Sequence, residues 1–191
     1  MKNKKLLGYV MVGIGFAGLG SMVACQKKAD PVQAAAPAVM PAPVVAATAV
    51  PADPAAALLA QSMNDAAGKS QSLAQFKGKP LLVNFWAPWC GPCVKEMPEL
   101  STLSTELKAK NINVIGVGID TPTNILEFTT KYKIAYPIYV GGMGATDLAR
   151  AFGNDKAGLP YTVLIGANGK VVKTYFGTLK FDELRTDLAA L

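Results

Sequence analysis

The chain has 191 residues, 51% of them hydrophobic and 17% charged, which suits one ordinary globular domain with appendages. Its formal charge of +6 includes Lys2, Lys4 and Lys5; without them it is +3, with both signs interspersed. No block of like charge and no basic–aromatic alternation suggests nucleic acid, and three cysteines with no histidine leave too few donors for a structural zinc site.

Residues 1–24 read as a signal peptide: a basic start, then the uncharged, largely apolar run Leu6 to Ala24, ending in small residues. An uncleaved anchor is the alternative, because a run of that length just suffices to span a bilayer. Residues 25–57 are dominated by Ala, Pro and Val, with Pro31, Pro37, Pro41, Pro43, Pro51 and Pro54. No hydrophobic period survives so many prolines, so this segment is expected to be a semi-rigid, extended tether. The domain is expected over residues 58–191.

Within the domain, residues 64–69 carry a turn signal. Leu81, Leu82, Val83, Phe85 and Trp86 then form a short apolar run rich in β-formers, the first core strand. The chain turns at Pro88 and presents Cys90-Gly-Pro-Cys93, followed by a helix over about 91–109 with Leu100, Leu103 and Leu107 on its apolar face. Pro92 suits the first turn of that helix, while Pro98 lies inside it and should bend it. A second buried strand is expected over 112–119. Thr121-Pro122 opens a helix over 122–133 with Ile125, Leu126 and Phe128 inward. A short strand at 136–140 and a short helix at 146–152 follow. Strands at 162–165 and 171–176 flank Asn168-Gly169, a hairpin signal, and an amphipathic helix closes the chain over 181–190. Strands alternating with helices imply an α/β fold with a mixed central sheet covered on both faces.

The chemistry is concentrated at Cys90 and Cys93. At a helix N-terminus, unpaired N–H groups and the positive end of the dipole stabilise a thiolate at Cys90. Cys93, one turn on, lies on the same face and can close a disulfide with it. A purely structural disulfide is the plainer alternative, but so small a loop staples little of a fold.

Trp89-Cys-Gly-Pro-Cys93 after an apolar strand resembles the active site of the thioredoxin superfamily. More narrowly, the chain is similar to the membrane-tethered TlpA/ResA-like thiol–disulfide oxidoreductases. The residues that carry this are Gly78 to Ala87, Cys93-Val-Lys-Glu-Met-Pro98, Asp120-Thr-Pro122 and Gly158-Leu-Pro-Tyr-Thr162. The resemblance implies a thioredoxin-like fold with an N-terminal hairpin extension. It implies Cys90 as attacking thiolate and Cys93 as resolving cysteine, with no cofactor. It implies a cis bond at Pro160, with Leu159 offering backbone to an extended substrate and Trp89 on the rim of the site. Asn84 stands where thioredoxin has a buried Asp. Glu96 matches the acidic residue of the branch's C-x-x-C-x-x-E-x-P pattern and is a candidate proton carrier for the resolving thiol, the alternative being a solvated helix charge. Peroxiredoxins carry Thr and Pro where this chain has Ala87 and Val83, so a peroxidase is not expected.

Met22-Val-Ala-Cys25 resembles a lipobox, which implies lipidation at Cys25 and a position at the periplasmic face of a bacterial membrane. The expected partners are exported proteins bearing disulfides, apocytochrome c among them, and a membrane dithiol that supplies electrons. The leading functional expectation is a reductase. A disulfide oxidase or isomerase, and a binding module gated by the redox state of the dithiol, are the alternatives.

Overall fold

The computed structural model describes residues 53–191; the expected signal peptide, Cys25 and nearly all of the expected tether lie outside them. The strands are Ser62–Asp65 (β1), Ser70–Ser72 (β2), Leu81–Trp86 (β3), Asn113–Gly118 (β4), Ile138–Val140 (β5), Tyr161–Ile165 (β6) and Val171–Phe176 (β7). The helices are Pro54–Leu59 (α1), Gly91–Lys108 (α2), Pro122–Tyr132 (α3), Ala145–Ala151 (α4) and Phe181–Ala189 (α5), with a 3-10 turn at Leu73–Phe76.

The strands form one mixed sheet in the order β2-β1-β5-β4-β3-β6-β7. All six side chains of β3 are buried, which requires cover on both faces and explains its near-continuous apolar sequence. Leu82 and Trp86 face a core built with Met97, Leu100, Leu103 and Leu107 of α2, Ile125 and Phe128 of α3, and Leu184 and Leu188 of α5. Leu81, Val83 and Phe85 face a second core that includes Ala55, Leu58 and Leu59 of α1, Leu73 and Phe76, and Ala145 and Ala149 of α4. The Trp86 indole and the Tyr136 ring both close over Gly116, where a Cβ would meet them at 3.1 and 3.2 Å.

β1 and β2 form the N-terminal hairpin, and β1 joins the sheet antiparallel to β5, extending it rather than merely preceding it. Two expectations need correction. The tether was expected to run to residue 57, but α1 begins at Pro54, capped by the Asp53 carboxylate and anchored by buried Ala55 and Leu58. Leu126 was expected inward and is 46% exposed, because the stripe set by Ile125 and Phe128 leaves it on the flank of α3. The hairpin expected at Asn168-Gly169 is present as β6 and β7, paired antiparallel; Gly169, at φ 76°, donates its N–H to Gly166 C=O, and a register shift lies in the pairing beside it. No helix among the described residues is long and apolar enough to cross a membrane.

Candidate active site

β3 delivers the chain to the surface at its C-terminal end, and α2 starts there because of Cys90. That residue is the N-cap, with extended backbone, and its Sγ accepts the backbone N–H of Cys93 at 3.3 Å. Gly91 and Pro92 occupy the first two helical positions, where Pro92 leaves no donor unpaired. The Cys90 carbonyl accepts the first intrahelical bond, from Val94 N–H at 3.1 Å. The Cys90 sulfur takes the place of the hydroxyl or carboxylate that usually caps a helix. The donor aimed at Cys90 Sγ and the dipole behind it favour charge on that sulfur once it is reduced.

Cys90 and Cys93 are joined by a disulfide, with Cα atoms 5.3 Å apart, so the site is in its oxidised form. Cys93 is wholly enclosed, whereas Cys90 is 6% exposed. An incoming sulfur therefore meets Cys90 first.

One turn beyond Cys93, Glu96 is buried to 3% exposure and is no solvated helix charge. Its Oε1 accepts Asn84 Nδ2 at 3.0 Å and its Oε2 accepts Leu179 N–H at 2.9 Å. Burial pushes its carboxyl above the ordinary glutamate value, and the hydrogen bonds from Leu179 and Asn84 oppose that rise. Asn84 donates a second bond to Thr162 Oγ1 at 3.0 Å, so β3, α2 and β6 meet around one carboxylate. Glu96 in turn adds to the burial that holds the Tyr136 phenol far above its usual range.

The Leu159–Pro160 bond is cis. Phe85 pairs with Tyr161 across β3 and β6, which sets Pro160 one residue on, level with Trp86 at the exit towards the dithiol. Leu159 is half-buried and packs against both cores. Trp89 is 68% exposed and forms one wall of a cleft of about 510 Å³ that includes Ile119, Asp120, Pro122, Val140 and Met143. The sequence-predicted residues thus fall into two groups: Cys90, Cys93 and Glu96 along α2, and Leu159 and Pro160 at the start of β6, with Trp89 on the rim.

Residues not singled out in the sequence complete the surroundings. Met143 is 77% exposed beside Trp89, in a Gly-Gly-Met-Gly stretch whose one apolar side chain was the available signal. Phe176 is 65% exposed and lies against Gly158. Asn154 is buried and bonded to Gly158, and only its place four residues before the Gly-Leu-Pro sequence could have pointed to it.

A family model described as Redoxin matches residues 35–188. The thiol-disulfide oxidoreductase ResA of Geobacillus thermodenitrificans is 28% identical over 130 residues, 68% of this chain and 72% of that protein. ResA of Bacillus thuringiensis is 32% identical over 123 residues, 64% of this chain and 69% of its own length. Among solved structures, dsbF of Mycobacterium tuberculosis, described in mixed oxidized and reduced forms, superposes with a TM-score of 0.61 at 25% identity, covering 70% of this chain and 96% of that one.

Proposed function

The chain belongs to the redoxin family and is a TlpA/ResA-like thiol–disulfide oxidoreductase of the thioredoxin superfamily; from that premise we propose that it is a membrane-anchored reductase for disulfides of exported proteins. The observation that carries the chemistry is the inequality of its two sulfurs. Cys90 caps α2 and keeps some exposure, while Cys93 is enclosed one turn above a buried carboxylate.

In the reduced protein the Cys90 thiolate attacks one sulfur of a substrate disulfide. That bond breaks, a mixed disulfide forms, and the substrate's other sulfur leaves as a thiolate and takes up a proton. Glu96 accepts the Cys93 proton, and the Cys93 thiolate attacks Cys90 Sγ. The mixed disulfide breaks, the second substrate sulfur takes a proton, and the Cys90–Cys93 disulfide remains. Two electrons and two protons have then passed to the substrate. A membrane dithiol returns them by the same exchange in reverse.

Gly91-Pro92 matches the dipeptide of reducing thioredoxins, which supports the reducing direction. The basic and apolar N-terminus and the lipobox-like Met22 to Cys25 support export and a lipid anchor, with the Ala/Pro-rich segment holding the domain off the membrane. Apocytochrome c, with its paired cysteines at the haem-attachment motif, is a substrate of fitting chemistry. Equilibration of the dithiol with a glutathione or dithiothreitol series tests the direction. A reduction potential near thioredoxin's, about −270 mV, is expected; a value above about −180 mV, the isomerase level, would assign the protein to disulfide formation or reshuffling instead.

A further inference from the structure

The loop leading into β6 is held by a side chain that the dithiol chemistry does not itself require. Asn154 is 2% exposed, and its amide closes a ring with a single backbone residue. Its Nδ2 donates to the Gly158 carbonyl at 2.8 Å, and its Oδ1 accepts the Gly158 N–H at 3.1 Å. Its own carbonyl accepts Ala157 N–H at 2.9 Å, and the Tyr161 hydroxyl donates to Phe152 C=O at 2.8 Å, so the segment is tied at both ends. Gly158 is further confined by Phe176: a Cβ there would lie 2.6 Å from the ring.

The effect of the clamp is selective. Both polar backbone groups of Gly158 are engaged, whereas the N–H and C=O of Leu159 have no hydrogen-bond partner among the described residues. The unpaired donor and acceptor of Leu159, next to the cis Pro160 and two residues before β6 begins, are free to pair with an incoming backbone.

We propose that Asn154 is a positioning residue for protein substrates: its amide takes over Gly158 and so offers the Leu159 backbone, in fixed orientation, to the chain flanking a substrate cysteine. The inference rests on the reading that the protein acts on protein disulfides. A small disulfide has no backbone to pair with and does not use this edge.

The test compares the full-length protein and its variants on insulin, a protein disulfide, and on dithiobis-nitrobenzoate, a small one. For Asn154→Ala the ratio of kcat/KM on insulin to that on the small disulfide falls about tenfold, through KM, as suits one misplaced pair of backbone hydrogen bonds. Asn154→Asp keeps the acceptor for Gly158 N–H but sets a carboxylate against the Gly158 carbonyl. Its ratio is low at neutral pH and recovers as acidification protonates the new carboxyl; taking the ratio cancels the pH dependence of the thiols. Equal losses on both disulfides, an unchanged ratio, or failure of both variants to fold would overturn the proposal. Wild-type protein that reduces the small disulfide but not insulin would instead sink the protein-substrate reading, and the inference with it.

Discussion

Asn84 of β3 and Glu96 of α2 share a buried hydrogen bond of 3.0 Å that ties the cysteine-bearing helix to the central strand. In thioredoxins the strand position carries the acid; in this chain the acid has moved to the helix and the strand supplies its donor. Asn84→Ala leaves Glu96 with the single donor of Leu179 N–H and Thr162 without its amide partner. A loss of roughly 1–3 kcal/mol of stability is expected, because the group left short is a buried carboxylate. The pH profile of disulfide turnover should also move upward, since one of the bonds holding the Glu96 carboxyl down is gone. Urea unfolding and a pH–rate series on the same variant check both, and an unchanged midpoint would show that the bond contributes nothing.

Glu96 also sets a pH dependence of stability. Its folded-state pKa is raised above the unfolded reference of 4.5, chiefly by burial. An acid so shifted binds its proton more tightly in the fold, so between the two pKa values the folded chain holds more protons than the unfolded one. Stability must then fall as pH rises from the reference value through the raised one, and level off above it. Glu96→Gln removes this slope, which urea titrations at a series of pH values would reveal. The same variant should slow resolution by Cys93 on the order of 10²-fold through loss of the proton acceptor. Resolution at the wild-type rate would return Glu96 to a purely structural part.

The path from β3 into α2 was legible because each local signal agreed: a continuous apolar strand, a proline at the turn, and a second proline where a helix lacks a partner for its N–H. The ends of α2, α3, β7 and α5 fall within a residue or two of expectation for the same reason. The partners of Glu96 were not legible. Leu179 lies 83 residues away, and its N–H reaches the carboxylate only because the segment before α5 folds back over α2. Asn154 reads as an ordinary loop residue, since its amide reaches Gly158 only across the turn at 155–157, where Ala157 takes a φ of 51°. α1 was hidden by composition: Pro54 in an Ala/Pro-rich stretch looks like tether, yet it is also a fitting first residue for a helix capped by Asp53.

Cys25 is predicted to be the first residue of the mature protein and to carry lipid. Metabolic labelling with an acyl precursor should mark the wild type and not Cys25→Ser, which should accumulate unprocessed. At least two acyl groups are expected, because one chain holds a protein to a bilayer only marginally. An intact mass that retains Met1 and shows no added lipid would assign the apolar N-terminal run to an uncleaved anchor.

The two cysteines should divide the reaction between them. Cys90 has the helix N-terminus, the Cys93 N–H at its sulfur and the greater exposure, so it should hold the lower thiol pKa and alkylate first when the dithiol is reduced. Cys93 is enclosed and stands one turn from Glu96, where desolvation and any negative charge both disfavour its thiolate. Cys93→Ser should therefore attack normally and fail to resolve, so that mixed disulfides with exported proteins accumulate on Cys90 and can be identified by mass. Cys90→Ser should trap almost nothing, because the remaining thiol is buried behind the helix start. Alkylation favouring Cys93 at neutral pH, or equal trapping by the two variants, would reverse the assignment. The partners recovered on Cys90 would at the same time test the proposed substrate class, since a catch rich in exported proteins with paired cysteines is what a reductase of this kind requires.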